Sequence, residues 1–280
     1  MKNYTVHITA AAAFLTAMLS LVFVLMRPSV VQRAQETEPS ASTVPSQPRQ
    51  ADDPLPPPPN SYVASDFAMD ENGYLTCLTA ASMLGVDVSE HQGEVDWEQV
   101  AASGVKFAII RVGFRGYGET GKLVEDEYAR ANLEGALAAG LKVGAYFFSQ
   151  ATNTWEALEE VRLTLSVIRD FPIEMPVVFD WEYLGEYART ATTDQETVTA
   201  CTAAFCNAIS LAGYQPMFYS NQNLGETHFD LAALSDYPMW LAMYNTEMDY
   251  PHRLYMWQYT SDGSVPGIDG PVDLNLYLPE

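Results

Sequence analysis

The chain has little positive charge. Its 14 lysines and arginines stand against 36 aspartates and glutamates, giving a net charge of -22 over 280 residues. Four of those cations, Lys2, Arg27, Arg33 and Arg49, come before residue 50. A surface this acidic repels phosphate backbones, which excludes nucleic acid as a partner. Cysteine is scarce too. Cys77, Cys201 and Cys206 are too few for a disulfide-stapled scaffold, and an odd number leaves one unpaired. Cys201 and Cys206 stand five apart in a predicted helix, a poor spacing for a bridge, and read as small buried apolar residues. The four histidines are scattered, with no CxxC or HxH pattern, so neither zinc nor any other metal is expected. No cofactor motif is present either. The run Gly113-Phe-Arg-Gly-Tyr-Gly lacks the spacing and the following Lys-Ser/Thr of a phosphate loop, and reads as a strand-end loop.

What the chain does have is apolar surface, 48% hydrophobic and 12% aromatic, enough for a sizeable core. Residues 1–27 carry an uncharged run from Ile8 to Met26, long enough to span a bilayer. It reads as an uncleaved signal anchor, because no A-x-A site follows it; a cleaved signal peptide is the alternative. Either reading sends the remainder out of the cytoplasm. Residues 28–60 shift to Pro, Ser, Thr, Gln and acidic residues, a disordered and semi-stiff linker. Residues 61–84 form a short pre-domain segment to which the sequence assigns no role.

From residue 85 to the end, β-branched runs alternate with helical patterns. The predicted strands are 85–89, 107–113, 142–149, 176–182, 215–221, 238–244, 254–259 and 271–277. Predicted helix starts are marked by Asp96 with Gln99, Asn153 with Glu156 and Thr193 with Glu196. Gly104, Gly140 and Gly213 sit just past helix ends. Such alternation means an α/β fold with a parallel sheet, and eight strands in this length fit a compact barrel. Between Tyr244 and Leu254 there is little room for a helix, so the barrel is expected to be irregular.

Side chains alternate inward and outward along a barrel strand. By that parity Asp87 and Ser89 share one face, Asp180 and Glu182 share another, and Asp273 pairs with Asn275. Apolar neighbours then face the helices, while the acids face the interior at the carboxyl ends of three strands, where barrel active sites form. Taken alone, a strand-end Asp is usually a cap or a loop hydrogen-bonder. The Asp-x-Glu pair after Pro-Val-Val-Phe is harder to explain that way, because crowded carboxylates raise one another's pKa and so preserve a neutral general acid. Tyr146, Phe148, Tyr219, Trp240 and Tyr244 have the parity to face the mouth, where aromatic faces suit pyranose rings; for some of them core packing is the plainer role. Trp181 falls on the helix side.

At these residues the sequence closely resembles glycoside hydrolase family 25, the Chalaropsis-type lysozymes. The motifs are Gly-Val-Asp-Val-Ser-Glu-His-Gln-Gly at 85–93, Phe-Ala-Ile-Ile-Arg at 107–111, Gly-Ala-Tyr-Phe-Phe at 144–148 and Val-Phe-Asp-Trp-Glu at 178–182. They continue with Trp-Leu-Ala-Met-Tyr at 240–244, Trp-Gln-Tyr at 257–259 and Val-Asp-Leu-Asn at 272–275. The resemblance implies a (β/α)5(β)3 TIM-like barrel that cleaves the β-1,4 bond between N-acetylmuramic acid and N-acetylglucosamine in peptidoglycan. It makes Glu182 the general acid/base and Asp180 the group that stabilises positive charge or orients the substrate's N-acetyl group. Asp87 and Asp273 become supporting carboxylates, and Gln258 joins the aromatics in binding substrate. A covalent carboxylate nucleophile and acetamido assistance both remain open, with retaining, acetamido-assisted hydrolysis as the working hypothesis. The rivals are a hydrolase of another N-acetylhexosamine polymer such as chitin, a catalytically silent wall-glycan-binding barrel, and a structural protein. With no wall-binding repeats after the last strand, the membrane anchor is expected to supply localisation for remodelling of the cell's own wall.

Overall fold

A computed structural model describes residues 56–245 and 247–279. The expected anchor over 1–27 and the linker up to residue 55 lie outside the described residues. Among those that are described, no helix is long and apolar enough to cross a membrane.

The elements run β1 (Phe67–Met69), β2 (Leu75–Cys77), β3 (Met83–Val88), α1 (Trp97–Ala102), β4 (Phe107–Arg115), β5 (Leu123–Glu125), α2 (Ala129–Ala138), β6 (Lys142–Ser149) and α3 (Thr154–Ile168). They continue with β7 (Val177–Trp181), α4 (Gln195–Leu211), β8 (Pro216–Asn221), α5 (Gln222–Thr227), β9 (Met239–Ala242), β10 (Met256–Gly263) and β11 (Val272–Tyr277). Eight strands close a barrel in the order β3-β4-β6-β7-β8-β9-β10-β11, with β11 pairing back onto β3, while β5 hangs on β4 as a hairpin. Helices follow each of the first five barrel strands, and among the described residues none separates β9 from β10 or β10 from β11.

The short last connection changes one expectation. β3 to β10 run parallel around the barrel, but β11 is antiparallel to both of its neighbours. A crossover to a parallel strand needs a dozen or more residues, and only eight lie between β10 and β11, so the chain returns as a hairpin. Asp273 therefore stands at the amino end of its strand, not the carboxyl end. The reversal still leaves it at the same mouth, opposite Asp87 in the register.

Two apolar layers follow from strand parity. Phe107, Ile109, Val178, Met217 and Met256 fill the barrel's interior, and Val86, Ala108, Ile110, Phe179 and Trp181 face outward into the main core. Gly85 makes room for the inner plug, since a Cβ there would fall 2.3 Å from the Phe107 ring. The helix starts at Asp96 and Asn153 are capped as read, each side chain accepting the backbone N–H three residues on. The cap of α4 is Asp194, one residue past Thr193, and it accepts from Thr197 N. An Asp side chain is a better N-cap than Thr and displaces it. Gly113 to Arg115 are strand residues, not loop, because β5 pairs with them. All three cysteines are buried and free.

Residues 58–84 acquire a role. Pro58 O accepts from Arg253 N at 2.8 Å, and the β1–β2 hairpin sets Phe67 edge-on against Trp257, with ring centroids 5.1 Å apart. Leu75 N donates to Tyr259 Oη. With no helix after β9 or β10, the outward Trp257 and Tyr259 would otherwise meet water, and the hairpin covers them.

Candidate active site

All ten residues selected from the sequence line one open cavity of about 420 Å³ at the barrel mouth. Asp87 on β3 has two side-chain donors. Its Oδ2 accepts from Gln258 Nε2 at 2.9 Å and from Asn275 Nδ2 at 2.7 Å. Gln258 Oε1 in turn accepts from Tyr219 Oη and Tyr244 Oη, at 3.1 and 2.9 Å, and Asn275 Oδ1 accepts from Trp240 Nε1 at 2.8 Å. Three of the selected aromatics thus orient polar groups as well as offering ring faces. Tyr146 stands edge-on to Trp240, and Phe148 borders the same space.

Asp180, at the end of β7, is buried, and its Oδ1 meets no hydrogen-bonding partner among the described residues. Glu182 lies one residue beyond the strand. Its backbone carbonyl accepts from Gln150 Nε2 at 2.7 Å. Gln150 is fully buried, and its Oε1 accepts from Thr190 Oγ1 at 2.9 Å. The main chain of Glu182 is therefore fixed just where the sheet ladder stops holding it.

Electrostatics at the mouth run in one direction. Burial, and then the Asp273 charge, raise the Glu182 carboxyl above its ordinary range. Burial, followed by Glu182 and Asp87, raises Asp180 well above its range, opposed by Arg111. Asp87 is raised well above its range by burial and Asp273, against the pull of its two amide donors. Burial lifts Asp273 to about 6. Carboxylates crowded in this way hold protons that isolated ones would release.

Six further residues line the cavity: Ser89, His91, Gln92, Arg111, Tyr117 and Leu184. Ser89 shares the Asp87 face by parity. Arg111 was legible in principle, since it has the parity of the inward Phe107 and Ile109 and ends the run Phe-Ala-Ile-Ile. Its guanidinium is already bound, with Nε 2.7 Å from Asp126 and Nη2 3.0 Å from Glu90. Tyr117 and Leu184 sit on loops without periodicity, and no sequence signal marks them. Among the described residues, no group of His, Cys, Asp and Glu is arranged to hold a metal ion.

The sequence model of Glycosyl hydrolases family 25 matches residues 86–268, the span that carries three of the four acids. The chain belongs to this family. This family 25 hydrolase carries its acids at the mouth of a closed barrel. It is 29% identical over 202 residues to the uncharacterized protein YegX of Escherichia coli, covering 69% of this chain and 68% of that protein. It is 28% identical over 197 residues to the autolytic lysozyme of Clostridium acetobutylicum, covering 70% and 56%. The fold also matches the modular autolysin LytC of Streptococcus pneumoniae, solved with a synthetic peptidoglycan ligand, with a TM-score of 0.64 at 24% identity, over 75% of this chain and 52% of that one. The chain thus spans little more than half of the clostridial and pneumococcal proteins.

Proposed function

We propose that this family 25 hydrolase is an N-acetylmuramidase, cutting the β-1,4 bond between N-acetylmuramic acid and N-acetylglucosamine in peptidoglycan. The observation that carries the reading is the crowding of Glu182, Asp180, Asp87 and Asp273 at an aromatic-lined mouth that raises every one of their pKa values. Relatives named autolytic lysozyme and autolysin support the choice of polymer.

Glu182, whose carboxyl burial and the Asp273 charge raise above its ordinary range, gives its proton to the glycosidic oxygen as the bond to the anomeric carbon breaks. Asp180 offers its unpartnered Oδ1 to the N–H of the substrate's acetamido group, whose carbonyl oxygen closes on the anomeric carbon. The Glu182 carboxylate then takes a proton from the water that reopens this ring, with net retention. This division needs the charge on Asp180 and the proton on Glu182. Arg111 works towards it, since its charge lowers Asp180, against the burial and the Glu182 and Asp87 charges that together raise that residue well above its range. Asp87, locked by Gln258 and Asn275, and Asp273 hold substrate hydroxyls and keep the field negative around the developing cation.

Incubation of the full chain with purified peptidoglycan, followed by muropeptide analysis, tests the reading. New reducing ends on N-acetylmuramic acid, absent with Glu182→Gln, are expected. Reducing ends on N-acetylglucosamine, or cleavage of chitin alone, would refute it. A first product of inverted configuration would refute the acetamido route. The uncharged run from Ile8 to Met26 supports action outside the cytoplasm from a membrane anchor, in remodelling the cell's own wall. Recovery of the protein mainly from culture medium would contradict the anchor.

A further inference from the structure

A second cavity, of about 500 Å³, adjoins the catalytic one, and Tyr244 lines both. Its other walls are the β1–β2 turn, with Met69, Asn72 and Tyr74, and the β10–β11 hairpin, with Thr260 and Asp262. Its volume falls in the range of small-ligand sites. The β1–β2 turn precedes residue 86, where the family match begins.

The wall is pre-formed. Asp70 Oδ1 accepts from both Asn72 N and Tyr74 N, at 2.8 and 2.9 Å, which fixes the turn. Phe67 on Trp257 and Leu75 N on Tyr259 Oη fix the hairpin to the barrel. A rigid wall loses little entropy when a ligand arrives. Chemically, the cavity offers neutral amides and hydroxyls beside apolar faces, with Tyr244 58% and Met69 47% exposed. No lysine or arginine is among its lining residues, and Asp262 is the only charged one. Acetamido and hydroxyl groups on a flat ring match that lining, whereas the carboxylates of a stem peptide would face a negative wall without a counter-charge.

We infer that this cavity is a remote glycan subsite, taking a further N-acetylhexosamine residue of the strand being cut at Glu182. The inference rests on the muramidase reading. It makes the enzyme sensitive to strand length, since binding energy from a distant sugar serves only substrates long enough to reach it.

Asn72→Trp would fill the cavity from an exposed turn, and Asn72→Ala with Asp262→Ala would strip its polar groups. Cleavage kinetics are measured on long glycan strands without stem peptides and on a tetrasaccharide, with thermal melts confirming that each variant folds. In both variants KM for long strands is expected to rise about tenfold, with kcat and tetrasaccharide cleavage unchanged. An unchanged ratio of long-strand to tetrasaccharide KM, with cleavage intact, would overturn the subsite alone. A KM effect seen only on strands that keep their stems would assign the cavity to peptide and overturn the glycan subsite. Failure of the unaltered chain to cut either substrate would overturn the muramidase reading and the subsite with it.

Discussion

Between the barrel and α3, Glu156 and Glu160 face Arg115 and Arg189, with nitrogen–oxygen distances of 2.6–2.7 Å for the closest pairs. At the barrel mouth, Arg111 opposes the shift of Asp180 alone among the four acids, and its close contacts are with Asp126 and Glu90. The same residue types are thus buried twice, and only Glu156 is carried the other way. Burial works against Glu156, yet the Arg189 hydrogen bonds, the Thr152 backbone N–H and two guanidinium charges carry it down to about 2. Glu160, wholly enclosed, is pushed by burial up to about 7 despite Arg115. The mouth acids have far less compensation, and all move up. The ion cluster is built for holding elements together, whereas the mouth tolerates repulsion in order to hold a proton. Gln150 joins the two regions, because Arg189 donates to its backbone oxygen and its side chain holds the Glu182 carbonyl.

The largest effects should come from breaking each region at its key group. Glu182→Gln should lower turnover by about 10³-fold, within the range for loss of a general acid. Its melting temperature should not fall, which separates chemistry from folding. Arg115→Leu should cost about 3–5 kcal/mol of stability, because it leaves the buried Glu160 without its guanidinium. Adding Glu160→Leu should recover most of that loss in denaturant titrations. A double variant no better than the single would mean that the pair is not a unit.

Gln150→Ala tests the link between the regions. It should lower kcat on the order of tenfold with KM nearly unchanged, since a small misplacement of a catalytic group is enough for that. A change confined to KM would remove Gln150 from the positioning of Glu182.

The smallest effects sharpen the contrast through stability. Asp180→Asn should raise the melting temperature at pH 7 by about 2–4 °C, the shift expected for relief of roughly 1 kcal/mol of repulsion in a domain of this size. Glu156→Gln should lower it. The pH dependences have opposite signs. Glu156 has a folded pKa of about 2 against an ordinary 4.5, so its contribution is present above 4.5 and lost as pH falls towards 2. Asp273 has a folded value of about 6 against 3.8, so its contribution is full below 3.8 and lost as pH rises through 6. Thermal melts of Asp273→Asn should therefore show a shallower decline between pH 4 and 6 and keep the acid limb.

Much of this contrast was legible in the sequence, for a physical reason. Strand parity is local, so alternation along Val86–Ser89 and Val177–Glu182 already separates the acids from the core. The direction of β11 was not legible, because it depends on the length of a connection and not on side-chain pattern. Arg115 and Arg189 gave no periodic signal either; their roles depend on Glu156 and Glu160, some forty and thirty residues away in the chain. The hairpin at 67–77 needed the exposed faces of Trp257 and Tyr259 before its function could be seen.

The central claim is that burial, aided by the Asp273 charge, raises the Glu182 carboxyl above its ordinary range so that it serves as the acid. The pH dependence of kcat/KM for the unaltered chain and for Asp273→Asn tests it most directly, because Asp273 is the charge that raises Glu182. Activity falls on the basic side as Glu182 loses its proton, and removal of the Asp273 charge should move that limb to lower pH. A basic limb that stays in place would contradict the account.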